Sequence, residues 1–200
     1  MTQIELIPGT NRDVSKSQWF SPPELAQRVV EWAFEGRAME RLGARVLEPS
    51  AGNGALVRPL VAAGADVYAV EIDMRYADEL RALECVAWVG DDFLEYQLGE
   101  WPEFDLCVMN PPYENGLDVA FILHALKFAP RVVGIFRSQI LHGKARKREL
   151  WTKVRPTRIA FLTERPDFGG DHGAMTDFVV LELVKHPQHL SWSQAKCEWW

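Results

Sequence analysis

Short apolar runs alternate with helix-like segments from residue 45 to residue 136, and this alternation limits the possible folds more than any other feature. The expected strands cover residues 45–48, 66–70, 85–89, 104–109 and 132–136, with helical patterns near 56–61, 74–83 and 117–128. Because parallel neighbours need a long connection, usually a helix, the pattern predicts right-handed crossovers. We therefore predict an α/β fold with a mostly parallel sheet and helices on both of its faces.

Two more strand-like runs, at 158–162 and 178–184, follow a basic helical pattern near 145–154. Only about fifteen residues join the two runs, and no helical pattern lies between them. A connection without a helix predicts an antiparallel pair, which we place near one edge of a seven-stranded sheet.

The sequence also predicts how the chain is divided between its folded domain and its two ends. Residues 1–18 are predicted to form an irregular arm, 19–185 the folded domain, and 186–200 a Trp-rich tail whose position the sequence does not indicate. An N-terminal helix is expected to begin at Ser21 as its capping residue, with Pro22 in the first helical position and Glu24 completing a capping box.

Composition indicates one soluble domain. The chain has 200 residues, of which 48% are hydrophobic and 25% charged. No apolar run approaches the roughly 18 residues that a membrane helix needs, and the N-terminus has no signal-peptide pattern. The three cysteines, Cys85, Cys107 and Cys197, match no metal or disulfide spacing. We therefore expect buried thiols, no metal site and a cytoplasmic location.

The net charge of −6 hides a basic segment. Between Arg131 and Arg165 ten Lys or Arg accompany only two acidic residues, so this segment carries +8 and the rest of the chain −14. Affinity for a polyanion depends on local patches as well as on total charge. The segment is a candidate nucleic-acid surface, although a solvated helix face would also explain part of it.

Three of the predicted strands end in residues that suit a nucleoside ligand, and open parallel sheets bind ligands at the carboxyl ends of their strands. Glu71, followed by Ile72, can accept hydrogen bonds from both hydroxyls of a ribose. Asp92 can accept one from an adenine amino group, and Phe93 offers a ring to stack on it. The first strand ends in a small-residue turn that lets a ligand approach backbone amides. This turn consists of Glu48, Pro49, Ser50, Ala51, Gly52, Asn53 and Gly54.

The fourth strand ends at Asn110, Pro111, Pro112 and Tyr113. The prolines cannot donate ladder hydrogen bonds, and the first biases Asn110 away from helix, so a rigid loop is predicted. An amide, a stiff pair of carbonyls and an aromatic ring can hold a flat ring that bears an amino group. A plain turn would show the same tetrapeptide. A glycine turn with one acid also occurs in dinucleotide enzymes, although Val57 replaces the third glycine of their fingerprint.

In this order the motifs resemble those of the S-adenosylmethionine-dependent amino-methyltransferases that modify adenine N6 or cytosine N4 in DNA. Their gamma group begins with a Phe/Tyr-Ser/Thr-Pro-Pro segment, where Phe20, Ser21 and Pro22 stand here. The glycine turn, the ribose acid, Asp-Phe and Asn-Pro-Pro-Tyr then follow. The resemblance covers about residues 19–184. It implies a Rossmann-like class I methyltransferase fold and S-adenosyl-L-methionine as cofactor.

The resemblance also implies a role for each motif. Phe20 to Pro22 and the glycine turn would hold the methionine end of the cofactor, Glu71 its ribose, and Asp92 with Phe93 its adenine. Asn110 and the carbonyl of Pro111 would accept hydrogen bonds from the target amine, while Tyr113 stacks on the base. An exocyclic amine is a poor nucleophile because its lone pair is delocalised, so two acceptors favour its tetrahedral, reactive geometry. A base in a duplex must first be flipped out.

By the same resemblance a second aromatic residue clamps the flipped base, and Phe168 is the candidate. A hinge-rich loop with an incidental Phe would look the same, and His172 in that loop could contact substrate or face solvent. Related enzymes usually carry a target-recognition domain, for which 200 residues leave no room. We therefore expect loops, a second copy of the chain or a partner to read the target.

Phosphate contacts are expected from four residues of the basic segment, Lys144, Arg146, Lys147 and Arg148. Charge reversal at Arg146 and Lys147 is predicted to weaken DNA binding and to flatten its dependence on salt. DNA is thus the expected partner.

Three functions stay open at this point. The first is methylation of adenine N6 in DNA, favoured by the Asn at the start of the tetrapeptide and by the gamma-like order. The second is the same chemistry on cytosine N4 in DNA, on an RNA base or on a protein glutamine. The third is a catalytically silent protein that binds nucleic acid or a partner. A role in restriction–modification, in protection of a mobile element or in regulation is not set by the sequence.

Overall fold

The computed structural model describes residues 20–35, 42–99, 101–168, 176–185 and 195–200. Within these ranges eight strands form one sheet. They are β1 (Arg45–Glu48), β2 (Asp66–Glu71), β3 (Val86–Val89), β4 (Leu106–Met109), β5 (Arg131–Arg137), β6 (Val154–Phe161), β7 (Phe178–Lys185) and β8 (Lys196–Trp199). The predicted N-terminal arm and His172 lie outside the described residues.

The strand order is β3-β2-β1-β4-β5-β7-β6-β8. Strands β1 to β5 pair in parallel, whereas β7 is antiparallel to both β5 and β6. The α/β fold with a mostly parallel sheet is therefore confirmed. The antiparallel pair is also present, although β7 lies inside the sheet rather than at its edge. The additional strand β8 comes from the tail and pairs in parallel with β6.

Helices cover both faces of the sheet, as predicted. Two core clusters result, because alternate residues of a strand point to opposite faces. Val46 belongs to the cluster that includes the helices α1 (Pro23–Ala33) and α2 (Val57–Ala62), and its neighbour Leu47 to the cluster that includes α4 (Leu117–Phe128). The remaining helices are α3 (Ala77–Arg81) and α5 (Lys144–Arg146), which continues as a π-helical turn over Lys147–Trp151.

The start of α1 differs from the prediction. Pro22 occupies the N-cap position, and no side-chain hydrogen bond caps the helix. Ser21 does not act as the cap because its side chain is engaged elsewhere, at the end of β4.

Strand β8, which is the edge strand beside β6, and the residue that follows it pack against α1. The Trp200 ring packs edge-on against Trp32 of α1, with 5.4 Å between ring centroids. The guanidinium of Arg28 lies 4.5 Å above the Trp200 ring, and the indole N–H of Trp32 donates to Glu198. Cys197 is exposed on this strand, contrary to the expected buried thiol, whereas Cys107 is buried.

Across the described ranges, no helix has both the length and the apolar character that crossing a membrane would require.

Candidate active site

The small-residue turn after β1 is tied to the end of β2 through one carboxylate. The main-chain N–H of Gly52 donates to Oε2 of Glu71 over 2.6 Å, and the N–H of Asp73 donates to Oε1 over 2.8 Å. Gly52 and Gly54 have φ angles of +51° and +79°, which side chains with a Cβ rarely adopt. A Cβ on Gly54 would also lie 2.7 Å from the Leu83 side chain. The predicted ribose acid and the glycine turn therefore meet.

Burial raises the pKa of Glu71, and the N–H groups of Asp73 and Gly52 oppose that increase. These two donors favour the charged form of the carboxylate. An anionic acceptor at this position is suited to a pair of ribose hydroxyls.

Glu48 is completely buried below the same turn. Its carboxylate accepts hydrogen bonds from the main-chain N–H of Ser50 (3.3 Å) and from the Ser50 hydroxyl (3.1 Å). Burial, and then the nearby charge of Glu71, raise its pKa well above the usual value. Glu48 thus supports the turn from beneath.

We expect the melting temperature of Glu48→Gln, relative to that of wild type, to be more favourable at pH 8 than near pH 5. The folded protein holds a proton on Glu48 that the unfolded chain releases above its ordinary pKa of 4.5, so stability falls as pH rises through that window. The substitution removes this loss. Thermal unfolding at several pH values measures the effect, with the exposed Glu103→Gln as control. A difference from wild type that does not change with pH would contradict the expectation.

A cavity of about 530 Å³ opens beside the glycine turn. It is lined by the Phe20–Pro22 segment, by residues from Asn53 to Ala62 and by Phe168. The Phe20 ring lies over the turn, 3.3 Å from where a Cβ of Gly52 would be. Among the described residues, the buried side-chain oxygen of Asn53 has no hydrogen-bond partner. A buried acceptor is costly unless a ligand donor satisfies it.

Phe93 lies elsewhere than predicted. Its ring is 1% exposed and packs against Phe121 and His124, with centroid distances of 5.4 and 4.8 Å. Asp92 caps the short turn Phe93–Glu95 by accepting the N–H of Leu94, which directs the Phe93 ring into the core. In this structure Phe93 is a core residue and not a stacking surface, while Asp92 stays half-buried beside it.

Asn110 lies where the predicted motifs converge. Its side-chain NH₂ donates to the Ser21 hydroxyl over 3.1 Å, and its main-chain carbonyl accepts from the Ser50 hydroxyl over 3.2 Å. The hydroxyl of Tyr113 donates to its side-chain oxygen. The N-terminal segment, the glycine turn and the Asn-Pro-Pro-Tyr loop therefore form one hydrogen-bonded unit. Pro111 is buried and Pro112 is half-buried in the same loop.

The rings predicted to contact a base are both buried. Tyr113 is 5% exposed and Phe168 3% exposed. Both rings pack against Phe178 of β7, at centroid distances of 5.7 and 4.7 Å. Phe168 also lines the cavity, so its predicted clamping role is compatible with its place. Tyr113 does not line the cavity.

The basic segment is divided by the structure. Arg146 forms an ion pair of 3.1 Å with the buried Asp118 of α4, and Arg148 forms one of 2.8 Å with Glu149. Lys144 and Lys147 are exposed. Arg146 therefore has a structural task, and its charge reversal would leave Asp118 opposed by a like charge. The phosphate contacts stay a prediction that Lys144 and Lys147 test more cleanly.

Sequence reasoning missed two contributors. Arg137 ends β5 with its guanidinium 4.9 Å above the Tyr113 ring. Burial is the main cause that raises the pKa of Tyr113, and the charge of Asp118 adds to it. A basic residue at a strand end and an acid at the start of a helix after the tetrapeptide were the available signals. Neither signal indicates Tyr113 as the partner.

The chain was compared with protein-family models, with known proteins and with solved structures. No protein-family model matches the chain. A relative in Thermococcus kodakarensis, named as a probable ribosomal RNA small subunit methyltransferase A, is 33% identical over 163 residues. The match spans 78% of this chain and 55% of that protein, so the chain covers about half of the relative's length.

Several solved structures share the fold of this chain over most of its length. An RNA methyltransferase candidate from Pyrococcus horikoshii has a TM-score of 0.69 at 20% identity, covering 89% of this chain and 92% of its own. The M protein of the type I restriction enzyme EcoKI has a TM-score of 0.63 at 14% identity, over 88% of this chain and 45% of its own. The fold is that of the class I methyltransferases.

One solved structure of this fold was determined with S-adenosylmethionine bound. It is the magnesium protoporphyrin IX methyltransferase of Synechocystis, with a TM-score of 0.58 at 20% identity over 82% of this chain and 79% of its own. The residues here fit such a group, because the carboxylate of Glu71 suits a ribose and the unsatisfied oxygen of Asn53 suits an ammonium donor.

Proposed function

We propose that this chain binds S-adenosyl-L-methionine and methylates the exocyclic N6 amino group of adenine in DNA. The observation that carries the proposal is the direct link from Asn110 to the glycine turn, through the 3.2 Å hydrogen bond from the Ser50 hydroxyl. This link brings an amide acceptor for the target amine next to the turn proposed to hold the cofactor. The gamma-like order of the motifs favours adenine in DNA over other acceptors.

The residues of the chain would then position and polarise rather than react. S-adenosylmethionine, when bound, supplies a methyl group activated by its sulfonium. The side-chain oxygen of Asn110 and the carbonyl of Pro111 accept the hydrogen bonds of the amine and favour its nucleophilic geometry. Direct transfer needs no protein nucleophile. The amine nitrogen would take the methyl group as the methyl–sulfur bond breaks, leave the cofactor as a neutral thioether and release one proton to solvent. Cys107 is fully buried in β4, and burial raises its pKa well above the usual value, so it is not suited to be one.

Glu71 and Asn53 would hold two parts of the cofactor that lie beside the turn, its ribose and its methionine ammonium. Glu71 accepts from the ribose hydroxyls, and Asn53 accepts from the methionine ammonium. Phe20 closes the turn from above, because its ring already lies over Gly52. A target base must leave the duplex to reach Asn110, and Phe168 at the cavity wall is the proposed clamp.

A second candidate is the same transfer to a base in RNA. It is favoured by the curated relative, which is named as a ribosomal RNA methyltransferase. Either nucleic acid is consistent with a cytoplasmic enzyme.

The deciding experiment uses labelled S-adenosylmethionine with DNA, RNA or a protein mixture as acceptor. The nucleic acids are then digested to nucleosides and analysed by mass spectrometry. N6-methyladenine in DNA alone supports the proposal, and label in RNA alone supports the second candidate. Cofactor binding without transfer to any acceptor would contradict both.

The double charge reversal Lys144→Glu/Lys147→Glu is expected to weaken DNA binding and to reduce the slope of log K against log salt by about 2. Each lost phosphate contact removes about 0.9 released counterions. Fluorescence anisotropy at several salt concentrations measures the slope.

The matched control is Lys153→Glu/Lys185→Glu, which changes the total charge by the same amount where β6 begins and β7 ends. These two lysines flank the paired ends of β6 and β7. An equal loss in both double variants would show a general charge effect and would contradict a phosphate site at α5.

A further inference from the structure

Every polar group of Asn110 is engaged by the protein. Its main-chain carbonyl accepts from Ser50, its main-chain N–H donates to the buried carboxylate of Glu48, and its side-chain NH₂ donates to Ser21. The side-chain oxygen accepts from the Tyr113 hydroxyl. The orientation of this amide is therefore determined by two neighbours, one on each side.

The Tyr113 ring is held as firmly as its hydroxyl. It is 5% exposed, with the Arg137 guanidinium 4.9 Å above its centroid and the Phe178 ring 5.7 Å away at a steep angle. The hydroxyl also lies 3.4 Å from the carbonyl of Ile135 in β5. A ring that stacks on a base needs space beside its face, and Tyr113, unlike Phe168, does not line the 530 Å³ cavity.

We propose that Tyr113 is a positioning residue whose hydroxyl, together with Ser21 on the opposite side, fixes the Asn110 amide with its oxygen available to the target amine. The inference rests on the proposed function and changes the role that the motif resemblance implies for this ring. An amide oxygen has two lone pairs, so the bond from Tyr113 leaves one for the substrate.

The orientation matters because an amide has a donor and an acceptor end of almost equal size. Rotation by half a turn would face the NH₂ of Asn110 toward the NH₂ of the substrate, and two donors do not bond. The Tyr113 hydroxyl favours the observed orientation by donating to the amide oxygen, and it can donate only while it is protonated. Burial raises its pKa, so the hydroxyl stays a donor across the working range of pH.

The test compares Tyr113→Phe with wild type in steady-state kinetics. Phe keeps the ring and removes the hydroxyl. We expect kcat to fall about tenfold or more, with KM for DNA and the Kd of S-adenosylmethionine unchanged, because one hydrogen bond that orients the reacting acceptor is lost. Full activity of Tyr113→Phe would support a stacking ring and overturn the proposal.

Two further variants sharpen the result. Ser21→Ala removes the other anchor and is expected to lower kcat in the same way, and the double variant Ser21→Ala/Tyr113→Phe is expected to fall to the level of Asn110→Ala. The matched control is Tyr96→Phe, which removes a hydroxyl that bonds to Asp91 over 2.7 Å outside the site. A double variant no worse than Tyr113→Phe alone would overturn the two-anchor arrangement.

A spectroscopic measurement separates this inference from the proposed function. The side-chain amide resonances of Asn110, assigned by their loss in Asn110→Ala, are expected to shift in Tyr113→Phe and not in Tyr96→Phe. Unshifted resonances would overturn the inference even if DNA is methylated. A shift, in a protein that methylates no nucleic acid, would support the Tyr113 bond while contradicting the proposed function.

Discussion

Asn110→Ala is expected to lower the rate of methyl transfer by about 10²–10³-fold while S-adenosylmethionine binding survives. The substitution removes the acceptor that would make the amine nucleophilic, whereas the turn at Gly52 and the carboxylate of Glu71 stay in place. Single-turnover kinetics measures the rate, and calorimetry with the cofactor measures binding. Full activity would contradict the role given to Asn110.

The control for this substitution is Asn115→Gly in the same loop. Asn115 is exposed and has a φ of +52°, a conformation that glycine adopts without strain. Wild-type transfer is expected from it. Equal losses in both variants would point to a disturbed loop rather than to a missing acceptor.

Glu71→Gln is expected to weaken S-adenosylmethionine binding by about 10–100-fold, since hydrogen bonds to a charged group contribute about 1.5–3 kcal/mol. The amide would offer one acceptor in place of two. It would also turn its NH₂ toward the N–H of Gly52 or of Asp73, which now donate to Glu71 over 2.6 and 2.8 Å. Isothermal titration calorimetry measures the affinity, and thermal unfolding the accompanying loss of stability.

The matched control is Asp66→Asn, at the exposed amino end of the same strand. It changes charge equally without reaching the turn, so its cofactor affinity is expected to equal that of wild type. An unchanged affinity of Glu71→Gln for S-adenosylmethionine would contradict the proposal that Glu71 binds the ribose.

The mostly parallel sheet was predictable because it depends on local patterns and on the connections between strands. The apolar runs at β1, β2 and β4 sit between helical segments, and right-handed crossovers leave few orders for parallel strands. The meeting of Glu48, Glu71 and Asn110 follows from that topology, since the carboxyl ends of neighbouring parallel strands share one edge.

Side-chain partners were less predictable, because they depend on contacts between distant parts of the chain. Ser21 has the sequence features of a helix cap, yet it bonds to Asn110, which lies 89 residues away. Phe93 looks like a stacking ring but is buried against α4, and Arg146 looks like a phosphate contact but pairs with Asp118. Strand β8 alternates polar and apolar residues over only four positions, too short a run to indicate a strand, so only its pairing with β6 reveals it.

The attachment of β8 to α1 has a consequence for altering this protein. Trp32 contacts Trp200 and Glu198, and α1 begins directly after the Phe20–Pro22 segment, whose Phe20 ring lies over the glycine turn. A substitution or a fused tag at residues 195–200 is therefore expected to disturb the turn proposed to hold the cofactor, although it would touch neither proposed ligand. Arg28 and Trp32 both contact Trp200, so substitutions at these three positions should be combined rather than tested one at a time.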